Sequence, residues 1–349
     1  MKRLGLAALV LCAVLSTAAV AATGTNDQYG SLQWALDQIR APQAWPTSTG
    51  SGQVIAVVDS GVDLDHPDLS GQLVGGATFT GCAQQPNGCG NGDWESGLTS
   101  APPSPHGTHV AGIAAAATDN GVGIAGTARG ASIMPVKVLT DAGGTFQEVA
   151  AGIRWAADHG ADVINLSLGA LPGAQALVIV GQEADAKQAI DYAVSRGVVV
   201  VAAAGNDFAS LCGEPGFSPN AMCVVATDRN ETRAAYSNFA ANQTLNVVAA
   251  PGGAAVLACA DDVVSTVPAG AESTCGNGTP GYDFYAGTSM ATPHVAGVAA
   301  LLTAQGRSVS QVYAVLKSTA RTPGVALRGT YTPTYGYGIV DAAAAVAAP

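Results

Sequence analysis

The chain has 349 residues, of which 48% are hydrophobic and only 11% are charged, and its formal net charge at pH 7 is −11. Such an acidic balance argues against nucleic acid and against an anionic membrane surface as partners, because both are themselves negatively charged. The length is sufficient for one large α/β core.

Residues 1–22 have the pattern of a secretory signal peptide. Lys2 and Arg3 give a positive start, an apolar stretch follows over 4–14, and the small residues of 19–22 offer cleavage sites. Cys12 raises the alternative of a lipoprotein, but Leu11 before it is not a small residue. We therefore expect a secreted or periplasmic protein whose mature domain covers residues 23–349.

Short apolar runs alternate with Ala-rich helical stretches through the rest of the chain. The strands are predicted at 54–58, 132–138, 163–167, 198–202, 223–226 and 246–249, and the helices at 106–117, 145–159, 182–195, 289–303 and 308–318. Continuous apolar strands between helices are typical of a parallel sheet covered on both faces. Ligands bind such sheets at the carboxyl ends of the strands.

Four polar residues lie at the ends of these elements. Asp59 ends the run QVIAVVD, His106 opens the helical run HGTHVAG, Asn206 follows the strand run VVVVAAAG, and Ser289 lies in GTSMATPHVAG. We expect Ser289 at a helix N-terminus, where free N–H groups favour a developing oxyanion, with Pro293 in the first helical turn. A serine that merely caps a core helix is the alternative. A hydroxyl nucleophile, however, needs a base and an anion to orient that base, and His106 and Asp59 supply both.

These four motifs, in this order, resemble the subtilisin-like serine protease (subtilase) family, and within it the thermitase-like branch, over about 26–347. The resemblance implies a three-layer α/β/α fold with a mostly parallel central sheet. It also implies a secreted endopeptidase that hydrolyses protein peptide bonds through an acyl-enzyme on Ser289. His106 would be the general base and acid, Asp59 the residue that orients it, and Asn206 the oxyanion donor.

The resemblance further implies a set of substrate-binding residues. Most are small, so a peptide backbone can approach closely, although the glycines could serve only as turn residues. The set consists of Ser167, Leu168 and Gly169 as one pairing edge, Gly143 and Gly144 as the opposite edge, Ala203, Ala204 and Gly205 as pocket walls, and Gly213 as the pocket floor.

A structural calcium ion is the cofactor that the resemblance implies. Calcium takes hard oxygen ligands, many of them backbone carbonyls. The ligands would be the side chains of Asp27, Asp68 and Asn120 with the carbonyls of Ala117, Val122 and Ile124. Solvated loop acids are the alternative. Asp93 and Glu95 are candidates for a second ion.

Six cysteines follow the signal peptide, and an even count in a secreted chain indicates disulfides. Of the 15 connectivities that six cysteines allow, we expect nearest-neighbour pairing: 82–89, 212–223 and 259–275. Zinc is the rival interpretation, but the sequence has no C-x₂-C pair.

Two features depart from the family pattern. The sequence contains no recognisable pro-domain between the signal and Asp27, so we expect folding without one unless a chaperone acts in trans; nor do we expect a C-terminal accessory domain. The Cys-containing loop 79–105 matches nothing in the family pattern.

We further expect a monomer, His109 and His294 in core packing, and His66 and His159 at the surface. Peptide ligation by the same acyl-enzyme, or a non-catalytic binding protein on this fold, are the competing functions.

Overall fold

The computed structural model describes residues 24–81, 104–140, 142–169, 183–255, 258–271, 275 and 279–349. The predicted signal peptide, Cys82 and Cys89, the candidate ion ligands Asp93 and Glu95, and most of the 79–105 loop lie outside the described residues.

A seven-stranded parallel sheet forms the centre of the fold, in the order β2-β3-β1-β4-β5-β6-β7. A separate antiparallel pair, β8 and β9, lies outside it. The strands are β1 Val54–Asp59, β2 Ala77–Thr78, β3 Ser132–Lys137, β4 Val163–Leu166, β5 Val199–Ala203, β6 Met222–Thr227, β7 Asn246–Pro251, β8 Val263–Thr266 and β9 Tyr282–Tyr285.

Eight α-helices are present among the described residues. They are α1 Trp34–Gln38, α2 Ala41–Ala44, α3 His106–Ala115, α4 Phe146–Asp158, α5 Glu183–Ser195, α6 Thr288–Thr303, α7 Val309–Thr319 and α8 Ala342–Ala347. None of the helices in this described part is long and apolar enough to cross a membrane.

Helices cover both faces of the sheet, and strand β1 shows how. Ile55 and Val57 belong to the core that contains α3 and α6, whereas Ala56 and Val58 belong to the core that contains α4 and α5. Successive side chains of a strand point to opposite faces, so a strand between two helical layers must be apolar throughout. The three-layer α/β/α prediction is thereby confirmed.

All six predicted strands and all five predicted helices are present, with small differences at their ends. The largest difference concerns the helix predicted over 106–117, which ends at Ala115 because Ala116 has extended backbone angles (φ −56°, ψ 149°). Ala117 therefore lies in the loop that follows. Sequence analysis missed the two-residue strand β2, the short helices α1 and α2, and the β8–β9 pair.

Two of the expected disulfides, Cys212–Cys223 and Cys259–Cys275, are confirmed. Cys212–Cys223 joins the segment after β5 to strand β6.

Of the four non-catalytic histidines, one was predicted wrongly. His66 was expected at the surface but is only 2% exposed, with Nε2 at 2.9 Å from the carbonyl oxygen of Gly281 and its ring edge-on to Tyr282. Burial lowers the pKa of His66. His159 is exposed, and His109 and His294 are buried, as expected.

Candidate active site

The carboxyl ends of the neighbouring strands β1 and β4 bring the first site residues together. These strands pair in parallel with Val57 opposite Asn165. Two residues further on, the same register places Asp59, the last residue of β1, beside Ser167, just after the end of β4. The edge of the sheet that the sequence predicts for ligand binding therefore holds both residues.

Asp59 is fully buried and holds His106 by a hydrogen bond, with 2.8 Å between Asp59 Oδ1 and His106 Nδ1. Helix α3 can bring His106 this close because its next residue is Gly107: a Cβ there would lie 2.2 Å from the carbonyl oxygen of Gly61. The amide N–H of Gly107 also donates to Ser60 Oγ at 3.0 Å. A larger residue at 107 would push the start of α3 away from Asp59.

The environment of His106 favours its protonated form. Burial opposes the positive charge on the imidazole, but the charge and the hydrogen bond of Asp59 outweigh burial and raise the pKa of His106 above its usual value. An ionised carboxylate only accepts hydrogen bonds, so in the neutral ring the proton is on Nδ1 and Nε2 keeps its lone pair. About a third of the side chain, 34%, is open to solvent. The hydrogen bond to Asp59 therefore leaves Nε2 without a proton, which is the state that a general base needs.

Ser289 is the second residue of α6, at the helix N-terminus as predicted, but the position predicted for Pro293 is wrong. Pro293 is the sixth residue of the helix, beyond the first turn, and cannot donate to the carbonyl of Ser289 four residues earlier. Ser167 Oγ donates to that carbonyl instead, at 2.7 Å. The hydroxyl of Ser289 in turn donates to the carbonyl oxygen of Ser167 at 3.2 Å. Two hydrogen bonds therefore join the start of α6 to the end of β4.

The side-chain amide of Asn206 is oriented by Thr288, the first residue of α6. Asn206 Oδ1 accepts from both the backbone N–H and the hydroxyl of Thr288, each at 2.9 Å. Because the N–H can bond only to an acceptor, this network assigns oxygen to one end of the amide and leaves Nδ2 as the other end. Nδ2 lies 3.5 Å from the Cβ position of Gly287, just before the helix, so a donor is held beside Ser289.

The predicted pocket residues lie close to one another. The N–H of Gly213 donates to the carbonyl oxygen of Ala204 at 2.7 Å. The Cβ position of Gly169 lies 3.4 Å from the carbonyl oxygen of Glu214, so the segment after β4 also approaches the segment around Gly213.

On the opposite side, Gly143 forms a tight turn with Thr140, because each donates its N–H to the other's carbonyl at 2.8–3.0 Å. The main-chain groups of Gly143 are therefore used within the turn. A peptide that binds as an added strand on this side would have to pair with the main chain of Gly144.

The residues expected to hold calcium converge around the 117–124 loop. Asp27 and Asp68 are buried; Asp27 accepts the N–H of Asn120 at 3.2 Å, and Asp68 accepts the N–H of Ile124 at 2.8 Å. Within the described part of the chain, neither carboxylate forms an ion pair with Lys or Arg. Burial, opposed by hydrogen bonds and reinforced by the charge of Asp27, raises the pKa of Asp68 to about 6.

The backbone of this loop also fits a cation. The carbonyls of Ala116 and Gly123 accept hydrogen bonds from the chain. The carbonyls of Ala117, Val122 and Ile124 accept none from any residue that the structure describes. Three free carbonyls and two buried carboxylates are a donor set that suits calcium. The amide of Asn120 donates to Asp68 at 2.9 Å and accepts the N–H of Val122 at 2.8 Å, so its oxygen would join them only after the amide turns and gives up both bonds.

Sequence reasoning missed the residues that hold these groups in place. Ser167 was assigned to substrate pairing and not to the Ser289 carbonyl, and the role of Thr288 in orienting Asn206 was not considered. The contact of Ser167 with the Ser289 carbonyl could have been predicted from Pro293. A proline inside a helix always leaves the carbonyl four residues earlier without its usual donor.

Comparisons with known proteins agree with this fold. The family model described as "Subtilase family" matches residues 50–338. Thermitase of Thermoactinomyces vulgaris is 44% identical over 297 residues, which is 84% of this chain and 91% of thermitase. An extracellular protease of Xanthomonas campestris pv. campestris is 38% identical over 93% of this chain, which spans 57% of that protein. Among solved structures, a protease from Pseudoalteromonas arctica has a TM-score of 0.75 at 36% identity, covering 93% of this chain and 98% of its own.

The link between Ser167 and the helix carbonyl can be tested by a double-mutant cycle. Ser167→Ala should destabilise the protein by about 1–3 kcal/mol, because the Ser289 carbonyl then lacks a donor. Pro293→Ala restores an N–H four residues along the helix, so the same serine change should cost clearly less in that background. Urea unfolding of the four proteins measures the coupling. Additive free energies of unfolding would contradict the assignment.

Proposed function

Because the chain belongs to the subtilase family and is therefore a serine-type endopeptidase, we propose that it hydrolyses peptide bonds through an acyl-enzyme formed on Ser289. The observation that carries the proposal is the arrangement of three groups at one edge of the sheet. Asp59 holds His106 at 2.8 Å, and Ser289 is fixed to Ser167, the residue beside Asp59. The order of the Asp, His and Ser motifs along the chain does not by itself require these contacts.

In the proposed acylation, Ser289 Oγ attacks the carbonyl carbon of the scissile bond and His106 Nε2 takes up the hydroxyl proton. For this, rotation about χ1 of Ser289 must exchange the carbonyl of Ser167 for His106 as the hydrogen-bond acceptor. The imidazolium that forms is stabilised by the buried carboxylate of Asp59. His106 then passes the proton to the leaving amine, and water repeats the sequence in reverse to release the acyl group.

The oxyanion of the tetrahedral intermediate would be held by Asn206 Nδ2 and by the backbone N–H of Ser289. The amide of Asn206 is already fixed by Thr288, so it does not need to reorganise when negative charge develops. The positive end of the α6 dipole adds to the same field.

The substrate, a protein or peptide, would bind as an added strand between Ser167–Gly169 and Gly144, with the side chain before the scissile bond between Ala203–Gly205 and Gly213. Main-chain pairing of this kind gives affinity with little dependence on sequence. The calcium ion would be bound by Asp27, Asp68 and Asn120 with the carbonyls of the 117–124 loop, and would neutralise the buried carboxylates there. We also propose that residues 1–22 are a signal peptide and that the mature protease is secreted.

The nucleophile is tested by Ser289→Ala, which should lower turnover on casein by about six powers of ten, as loss of the nucleophile does in subtilisin, a member of the same family. A sulfonyl fluoride should label Ser289 covalently, seen as a mass increase on the peptide that contains it. The exposed Ser195→Ala on α5 is the control and should change neither property. A folded Ser289→Ala protein with normal turnover would exclude the mechanism.

The pH profile tests the Asp59–His106 pair. Only neutral His106 can act as base, so kcat/KM should rise with pH through a midpoint above the ordinary value of about 6.5, because Asp59 raises the pKa. Asp59→Asn removes the negative charge, so the midpoint should move to lower pH while kcat falls about 10⁴-fold. Asp158→Asn, a change at the exposed end of α4, should alter neither the midpoint nor kcat. A midpoint in Asp59→Asn equal to or above that of the wild type would be incompatible with the assigned pair.

Chelation tests the metal site by stability instead of activity. Calcium that binds only the native state adds about 1.4 kcal/mol for each tenfold excess over its Kd, so a chelator should lower the Tm of the Ser289→Ala protein, which cannot digest itself. Asp68→Asn in that background should lose most of this response. Asp119→Asn in the same loop is the control, because its carboxylate pairs with Arg129 at 2.7 Å. Equal Tm values with chelator and with excess calcium would rule the site out.

A further inference from the structure

Glu148 is a buried carboxylate with no part in the proposed chemistry. It is the third residue of α4 and is 6% exposed. A buried carboxylate is costly unless its oxygens accept hydrogen bonds. Its partners therefore show which parts of the chain it holds together.

The two oxygens of Glu148 bind two separate segments. Oε2 accepts the N–H and the hydroxyl of Thr145, at 2.8 and 3.0 Å, which closes a capping box at the start of α4. Oε1 accepts the N–H of Gly81 at 2.6 Å, just after strand β2. Thr145 directly follows Gly144, the residue with which the proposed substrate strand would pair. Glu148 thus ties the pairing edge to the segment after β2.

A second capping box in this chain shows that a cap alone does not require a carboxylate. On α7, Ser308 and Gln311 form the same arrangement, and Gln311 Oε1 accepts the N–H and the hydroxyl of Ser308 at 2.9 and 3.0 Å. One side-chain oxygen is sufficient there. At position 148 the second oxygen has a different use, the bond to Gly81, and an amide NH₂ group cannot accept that bond.

The segments that Glu148 joins are two walls of a cavity of about 300 Å³. A volume of this size is at the lower end of small-ligand pockets and is large enough for a side chain. The lining is mixed, with three threonines and one carboxylate among three glycines and one alanine; it consists of Thr80, Gly81, Thr140, Ala142, Gly143, Gly144, Thr145 and Glu148. A peptide strand paired with Gly144 would run along the rim of this cavity.

We propose that Glu148 is a positioning residue for extended substrates: it fixes Gly144 and Gly81 as the walls of a subsite for a polar side chain upstream of the scissile bond. This inference rests on the proposed protease function. Both walls are needed only when a substrate reaches this far. Loss of the Gly81 bond should therefore weaken long substrates and leave short ones unaffected.

Glu148→Gln is the selective test, because glutamine preserves the cap and places an NH₂ group against the N–H of Gly81. It should raise KM for a long peptide about three- to tenfold with kcat unchanged, the size expected for one hydrogen bond. An acetylated amino-acid ester, which occupies only the pocket next to the scissile bond, should be cleaved normally. Gln311→Ala breaks the cap of α7 and is the stability control, with no effect on either substrate.

Each other outcome has a definite meaning. Unchanged kinetics on both substrates would overturn the inference, and so would equal losses on both accompanied by a lower Tm, since that result indicates a purely stabilising cap. Glu148→Ala, which lacks both oxygens, should show the same substrate-length dependence together with a lower Tm. A wild-type protein that cleaves neither substrate would refute the proposed function itself.

Discussion

The pair of hydrogen bonds between Ser167 and Ser289 is the contact on which the site depends. Asp59 is part of the sheet, whereas Ser289 is on a helix that packs across it, and the proposed proton transfer between Ser289 and His106 requires the two elements to keep a fixed distance. Pro293 leaves the carbonyl of Ser289 without a helical donor, and Ser167 Oγ supplies one at 2.7 Å. A local defect in the helix is thus converted into a bond between the two elements that carry the site.

Small residues allow helices α3 and α6 to pack closely against their neighbours. Gly297 on α6 could not carry a Cβ, because it would lie 2.5 Å from the Cβ of Thr127. Gly112 on α3 lets that helix approach strand β8, because a Cβ there would lie 2.3–2.5 Å from the hydroxyls of Ser265 and Thr266. The Ala- and Gly-rich character of the sequence therefore has a geometric consequence. It allows α3 and α6, whose first turns carry His106 and Ser289, to pack closely against the elements around them.

The sequence predicted the main strands and helices well because each is a local feature: the strands are short, continuous apolar runs, and the helices are longer, Ala-rich stretches. It predicted less well wherever a distant partner decides the structure. The β8–β9 pair joins segments separated by a Cys-containing loop, and each is a run of only four residues whose strand depends on pairing with the other. His66 was expected at the surface, yet Gly281 and Tyr282 cover it. The four catalytic candidates were found because each sits in a motif at the end of a predicted element, whereas the contacts that orient them link residues far apart in the chain.

The buried carboxylates differ in what compensates their charge. Asp341 is paired with Arg40 at 3.1 Å and Arg328 at 2.8 Å, so its charge is already balanced. Asp59 accepts hydrogen bonds from His106 and from the N–H of Ser60, and its charge outweighs burial and raises the pKa of His106, so in the proposed mechanism the imidazolium completes the balance. Asp27 and Asp68 are bound by neutral donors alone in the described part of the chain, and one charge raises the pKa of the other. Hydrogen bonds from amides lower the cost of burying two such groups but do not cancel their mutual repulsion. The calcium ion proposed above would balance their charge, and the carbonyls of Ala117, Val122 and Ile124, which accept no hydrogen bond from the described residues, would be further ligands.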